Sequence, residues 1–397
     1  MKNFKKIALI WPSITTLGES DKYYNVQAYG LARELANRGF EVCIFTSQRM
    51  LNKDKNIGHA IYKNRENYKI VYLPTLFNSP KYPILKKLLH ELKCFSPCIV
   101  QSVEDISPST WTGFIYSKLY KKPFFVYQGI YCHPTNFTLL SQIIRSIFLK
   151  ILYKKTTMFL TKSTAAKNFL MQCGVKKDKI RVVYVGFNSK NFHFVKSDLL
   201  YNLSGFSKDR LILLSIGKLM PHKNHRAMIL AVKKLKEIYP KISLVIIGNG
   251  PLLSTYQHLI SKLNLDHYVR IVTTKIPQQE MAKIYSSAYI YLCVSLKEIF
   301  GMTVLEAMAC GTPVIGSNIG GMKDIIQSGK NGFLIDPRDI DGLCDCILKL
   351  LKDQRMRAKF SKCAIEISKR FDWSVIVSNF LRCYEKGINS YYTTLPN

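Results

Sequence analysis

Residues 293 to 321 constrain this chain more than any other stretch. They read Cys293-Val-Ser-Leu-Lys-Glu298-Ile-Phe300-Gly301-Met302-Thr303-Val304-Leu305-Glu306-Ala-Met-Ala-Cys310-Gly311-Thr-Pro313, ending at Gly320-Gly321. An apolar strand, Tyr289 to Val294, runs into a loop that closes at Phe300-Gly301. Strong helix formers from Leu305 to Ala309 follow, and Gly311 and Pro313 stop them. A second apolar strand, Pro313 to Gly316, comes next. Strand, loop, helix, strand is the unit of a parallel sheet.

The chemistry of this unit follows from its geometry. The backbone N–H groups of Gly301, Met302, Thr303 and Val304 are expected to be free at the helix start, and a free helix N-terminus attracts phosphate. Gly301 clears a side chain from the approach to that backbone. Glu298 precedes the helix and Glu306 lies inside it. Two acids flanking a phosphate site suit a ligand whose polyhydroxyl groups sit on either side of the phosphate, because carboxylates accept hydrogen bonds from hydroxyls.

This ordered set, from Glu298 and Phe300-Gly301 through Leu305-Glu306-Ala307-Met308-Ala309, Gly311, Pro313-Val314 and Gly320-Gly321, resembles the signature of family 4 retaining glycosyltransferases. The resemblance implies the GT-B fold, an α/β architecture of two Rossmann-like domains whose parallel sheets face a central cleft. It implies that Glu298 contacts the donor sugar, that Glu306 holds the nucleotide ribose, and that the amides after Phe300-Gly301 bind the diphosphate. A plain Rossmann strand–helix–strand with two solvated glutamates is the competing reading of the same residues.

At 397 residues the chain is long enough for two domains, each with its own core. Hydrophobic residues make up 47% and charged residues 21%, a globular balance, and no run of 18 apolar residues predicts a membrane span. The start, Met1 to Trp11, reads as a buried first strand rather than a signal peptide, because Pro12 cuts the apolar run short. Eleven cysteines fit neither a disulfide framework nor a zinc site; Cys94-x3-Cys98 and Cys344-x-Cys346 lack a second pair. Reduced thiols and a cytoplasmic location are expected.

The formal net charge of +32 calls for an anionic partner: a nucleotide, a phospholipid surface or a nucleic acid. Part of it reflects lysines scattered along the whole chain. Within residues 137 to 160, Leu139, Leu140, Ile143, Ile144, Ile147, Phe148, Ile151 and Leu152 recur at helical spacing, with Arg145, Lys150, Lys154 and Lys155 as the charges. This segment is either a core helix with a solvated basic end or a basic amphipathic helix on an anionic membrane. Tyr82 to Lys93 is a second such candidate.

In chain order, a strand at Lys5 to Trp11, a polar loop, a helix at Asn25 to Asn37 and a strand at Glu41 to Thr46 make a Rossmann-like opening. The loop lacks Gly-x-Gly-x-x-Gly, which argues against a dinucleotide cofactor. By resemblance, Gly18, Tyr24 and Asn25 lie on the acceptor side. Gln128, at the end of strand Pro123 to Tyr127, stands where many family members carry a His beside the reacting sugar carbon. It is placed with the catalytic residues as a hydroxyl-binding amide, and His133 is the alternative. Residues 1–190 are expected to form the acceptor-binding domain, with a helix over 373–388 packing back on it. Residues 208–370 are expected to form the nucleotide-sugar domain, and 390–397 a disordered tail.

Strand Leu211 to Ile216 ends in Gly217-Lys218-Leu-Met-Pro-His-Lys223-Asn224. The resemblance makes Lys218 and Lys223 the two cations that hold the donor diphosphate, with Lys218 standing where the family has Arg. Gly217, Gly248 and Gly250 line the donor side, and Lys275-Ile276 bracket the base. The implied reaction is hexosyl transfer with retained anomeric configuration, from a UDP- or GDP-sugar to a glycan or glycolipid hydroxyl. The implied pathway class is polysaccharide biosynthesis. No metal or other cofactor is implied, because lysines and a helix end face the diphosphate. An anionic membrane, at the inner face, is a candidate partner. Rivals are another GT-B enzyme, such as a sugar-nucleotide epimerase or phosphorylase, and a nucleic-acid-binding protein, for which no motif exists.

Overall fold

The computed structural model describes residues 5–12, 27–48, 58–65, 67–76, 83–132 and 139–393, with only the backbone given for 139–146. The chain divides into two units. Residues 1–186 and 373–397 form the first, and 187–372 the second.

The first unit carries β1 (Lys6–Ile10), α1 (Gln27–Asn37), β2 (Glu41–Ser47), β3 (Ile61–Asn64), β4 (Lys69–Leu73) and α2 (Leu88–Phe95). It continues with β5 (Ile99–Val103), α3 (Pro108–Leu119), β6 (Phe124–Gln128), α4 (Leu139–Lys155), β7 (Met158–Thr161), α5 (Thr164–Gln172) and β8 (Ile180–Val182). The sheet order is β3-β4-β2-β1-β5-β6-β7-β8. All neighbours are parallel except β3, which pairs antiparallel with β4 at the edge. The inner strands are continuous apolar runs because helices cover both faces. Leu31 and Leu35 of α1 pack on one face, with Phe380 and Tyr384 of the last helix. Leu88, Phe114 and Leu152 of α2, α3 and α4 pack on the other.

The second unit holds α6 (Leu199–Ser204), β9 (Leu211–Ile216), α7 (His225–Leu235), β10 (Ile242–Ile247), α8 (Leu253–Lys262), β11 (Val269–Val272), α9 (Gln278–Ser286) and β12 (Ile290–Cys293). Then come α10 (Met302–Ala309), β13 (Val314–Ser317), α11 (Met322–Ile325), β14 (Gly332–Ile335), α12 (Ile340–Lys352) and α13 (Gln354–Ser368). Its six parallel strands run β11-β10-β9-β12-β13-β14, the doubly wound order with its switch point between β9 and β12. α14 (Trp373–Thr393) returns to the first unit.

Two boundaries and one helix differ from the sequence reading. Residues 191–207, left between the two expected domains, belong to the second unit: Ser286 Oγ accepts from Val195 N at 3.0 Å, and Ser287 Oγ donates to the Ser197 carbonyl at 2.6 Å. The crossing therefore falls at Gly186 and Phe187. The last helix runs to Thr393, so residues 390–393 are helical rather than a loose tail. Helix α3 was not anticipated, since Ser109, Thr110, Thr112 and Gly113 are poor helix formers.

Trp373 anchors the returning helix. A Cβ at Gly30 or at Gly186 would lie 2.4 Å from its indole. Both glycines are required by this close approach. Gly186→Ala should destabilise the first unit by about 1–3 kcal/mol through overpacking. Denaturant unfolding followed by Trp fluorescence reads this, and an unchanged midpoint would show that the indole has room to shift.

Candidate active site

The site is built at the switch point of the second sheet, where the loops after β9 and β12 leave neighbouring strands in opposite directions. Ligands bind at such points in open α/β sheets. The loops are joined by a hydrogen bond from the Leu296 amide to the His222 carbonyl at 2.7 Å. They are joined again by an ion pair, Lys223 Nζ to Glu298 Oε2 at 2.7 Å, whose side chains are largely screened from solvent. Two residues 75 positions apart in sequence thus meet where both were expected to act. Lys218 is exposed one residue after Gly217 and has no ion pair among the described residues. Burial and then the Lys223 charge hold His222 below the usual imidazole range.

Glycines shape the neighbouring loops. The Leu219 amide donates to the Asn249 carbonyl at 3.0 Å, drawing the loop after β10 against the loop after β9. A Cβ at Gly248 would lie 1.9 Å from the Gly217 carbonyl oxygen, and one at Gly250 would lie 2.7 Å from that of Leu219. The structure therefore gives Gly248 and Gly250 a packing role between two backbones. Gly217 leaves space that the Lys223 stem crosses. Exposed Lys275 and half-buried Ile276 lie on the turn after β11, whose Val272 carbonyl accepts from the Gly248 amide at 2.9 Å.

Gly301 caps α10 with φ +99°, a left-handed conformation that disfavours a side chain. The amide of Val304 is not free as expected: it donates to the Gly301 carbonyl at 3.0 Å, as a tight first turn does. The Val304 amide is thus removed from the set expected to face a phosphate, which leaves the turn from Gly301 to Thr303. Phe300 turns its ring into the core against Phe371, at 5.7 Å between centroids, so only its backbone can face a ligand.

Glu306 is buried on α10 and accepts a hydrogen bond from the Tyr285 hydroxyl at 2.8 Å. Burial pushes its carboxyl up to about 7, although the Tyr285 bond opposes the rise. This acid sits at the edge between neutral and ionised at ordinary pH, a property often found at functional sites.

In the first unit, Gln128 differs from its expected place. It is fully buried, its Oε1 accepts from the Asp105 amide at 2.9 Å, and its Nε2 donates to Asp105 Oδ1 at 3.1 Å. The Tyr153 hydroxyl closes the network on Asp105 Oδ2 at 2.7 Å. The Gln128 amide is spent on structure and has no face open to a sugar. Gly18, Tyr24, Asn25 and His133 lie outside the described residues.

The sequence reading missed Glu104 and Lys162. Their ion pair closes at 2.7 Å, and the Glu104 carboxylate also accepts from the amides of Gly129 and Ile130 at 3.0 and 3.1 Å. Lys162 Nζ lies over the rings of Tyr127 and Trp11. Glu104 adopts φ 57°, left-handed backbone that the charge-assisted bonds offset. The cluster fixes the turn after β6 at the switch point between β1 and β5. Sequence proximity gave no sign of it, because its members come from four strand ends, those of β1, β5, β6 and β7.

Two doubly wound sheets, one with an acid–lysine pair beside a helix N-terminus at its switch point, define the GT-B class of transferases. Residues 202–367 match the family described as glycosyl transferases group 1, and residues 25–191 match glycosyltransferase family 4. The chain belongs to the family 4 glycosyltransferases.

N-acetyl-alpha-D-glucosaminyl L-malate synthase of Bacillus anthracis is 32% identical over 215 residues, covering 53% of this chain and 55% of that protein. D-inositol 3-phosphate glycosyltransferase of Corynebacterium efficiens is 30% identical over 43% of this chain and 42% of its own length. The chain spans about half the length of the curated relatives it matches. Among solved structures, sucrose-phosphate synthase from Thermosynechococcus elongatus aligns over 97% of this chain and 100% of its own, with TM-score 0.78 and 22% identity. HepE of Anabaena, in complex with UDP-glucose, aligns over 96% and 99% with TM-score 0.75 and 17% identity.

Proposed function

We propose that the chain transfers a hexose from a nucleoside diphosphate sugar to an acceptor hydroxyl, retaining the anomeric configuration. The observation that carries this reading is the Lys223–Glu298 pair beside the α10 N-terminus, one cation for phosphate and one carboxylate for hydroxyls. Lys218, Lys223 and the amides of Gly301, Met302 and Thr303 stabilise charge growing on the leaving diphosphate. Glu298 orients the donor sugar, and Glu306 accepts from the ribose hydroxyls. The acceptor oxygen bonds to the anomeric carbon on the leaving-group face as the bond to the β-phosphate oxygen breaks. The electron pair goes to the diphosphate, and a phosphate oxygen takes the acceptor proton.

The solved complex of HepE with UDP-glucose supports a UDP-sugar as the first donor to try. The acceptor we propose is a lipid-linked or cell-surface glycan at the cytoplasmic membrane face, supported by the net charge of +32. Among the described residues no helix is long and apolar enough to cross a membrane, so association would be peripheral.

A thermal-shift panel of UDP, GDP, ADP, CMP and their sugar conjugates tests the donor side. One nucleoside diphosphate at 100 times its Kd should add about 2.7 kcal/mol to the folded state and raise the melting temperature. No response to any of them would remove the reading. Product analysis with a lipid-linked and a soluble acceptor tests the other half.

A further inference from the structure

Helices α3 and α4 form one outward ridge on the first unit. The rings of Trp111 and Phe148 meet at 5.2 Å. Seven residues further along both helices, Lys118 Nζ donates to the Lys155 carbonyl at 2.9 Å. The equal spacing shows that the helices lie side by side and parallel. Their inner residues, Phe114 and Leu152, are in the core. Their outer ones are not: Ile115 and Leu119 of α3, and Ile147, Phe148 and Ile151 of α4, are 47% to 65% exposed. Five large apolar side chains on adjoining helices are a patch rather than a scatter, and such patches mark interaction sites.

The charge along the segment that carries this ridge is of one sign. From residue 106 to residue 177 the chain has eleven Lys or Arg and no Asp or Glu. Lys118, Lys121, Lys154 and Lys155 gather at the C-terminal ends of both helices, all exposed. Lys118 is held below the usual amine range by burial and then by the charges of Lys155 and Lys179. An apolar ridge bordered by lysines fits a surface with an anionic outer layer over a hydrocarbon interior.

We propose that the α3–α4 ridge docks on an anionic lipid bilayer, with Phe148, Ile151 and Leu119 entering the headgroup layer and Lys118, Lys154 and Lys155 on the lipid phosphates. The sequence pointed to α4 and to residues 82–93, each as either core or membrane face; the structure makes α4 both, with α3 rather than α2 as the second half of the surface. This rests on the reading that the acceptor is lipid-linked at a membrane.

The test is flotation of the full chain with phosphatidylcholine vesicles, with and without phosphatidylglycerol, and no glycan acceptor. The chain should float with the phosphatidylglycerol vesicles and be released between about 0.05 and 0.5 M salt. The double variant Phe148→Glu, Ile151→Glu and the double variant Lys154→Glu, Lys155→Glu should each weaken binding at least tenfold, with melting temperature and nucleotide response retained. Equal binding to both vesicle types, no binding, or variants that bind as the parent would overturn the proposal. So would a dimer in sedimentation that Phe148→Glu, Ile151→Glu converts to monomer with vesicle binding unchanged, since a second copy would then be the occupant. Because these vesicles carry no acceptor, their failure alongside transfer to a lipid-linked acceptor sinks only the surface. Binding alongside transfer to soluble acceptors alone sinks only the acceptor reading.

Discussion

Lys223→Ala should lower kcat for sugar transfer by about 10²–10³-fold, the effect of removing one preorganised donor from a site of developing negative charge. An ammonium has three donors, so Lys223 can keep its 2.7 Å contact with Glu298 and still reach a phosphate oxygen. In the proposed mechanism the pair is therefore a bridge between sugar and leaving group. Glu298→Gln should also lose transfer by a similar factor, because the amide keeps the shape and loses the charge that orients both the lysine and the hydroxyls. The two losses should be strongly non-additive, as expected for residues in contact. Lys223→Arg should recover part of the rate, since it keeps the charge in a different geometry. Steady-state kinetics on the parent, Lys223→Ala, Glu298→Gln, their combination and Lys223→Arg tests each of these expectations. If Lys223→Ala retains kcat within twofold, the lysine is a structural partner of Glu298 and the phosphate is held elsewhere.

The second unit was legible because its site lies on one continuous strand–loop–helix and on one loop of fixed spacing. β9 was read as Leu211 to Ile216 and is that strand. Helix α10 begins at Met302, after a glycine that the left-handed cap requires. What the sequence could not show is which polar atoms the fold consumes. The Val304 amide and the Gln128 side chain both look available in one dimension. One closes a tight turn and the other is satisfied by Asp105, because buried polar groups are paired wherever the fold brings a partner near. Gly248 and Gly250 look like ligand-facing glycines, yet backbone–backbone proximity explains them. The Glu104–Lys162 pair was invisible for the converse reason. Its partners are 58 residues apart, and only the parallel ordering of β5, β6 and β7 brings their ends together.

Glu306 carries the last and most specific expectation, because its protonation links stability to binding. Its folded carboxyl titrates near 7, raised from 4.5 by burial. The folded state therefore keeps the proton where the unfolded state has released it. Stability should fall as pH rises from about 4.5 to 7, by roughly 3 kcal/mol at one pH unit per 1.36 kcal/mol, and the full penalty applies above 7. Glu306→Gln keeps an acceptor for Tyr285 and removes the titration, so it should unfold at a higher temperature than the parent at pH 8 and similarly at pH 4.5. Nucleotide binding should move the other way. The ionised carboxylate is the form that accepts from two ribose hydroxyls, and hydrogen bonds to a charged group contribute about 1.5–3 kcal/mol. Nucleoside diphosphate affinity should thus drop about 10- to 100-fold in Glu306→Gln at pH 8. In the parent it should weaken towards tenfold per pH unit below 7, after subtraction of the pH dependence that the Gln variant shares through the nucleotide's own phosphate. Calorimetric binding at pH 6 and 8, with melting curves at pH 4.5 and 8, gives both readings. A variant that is stabilised at pH 8 and binds as the parent would confirm the buried charge and take the ribose away from it. A variant that binds weakly with no change in stability would do the reverse.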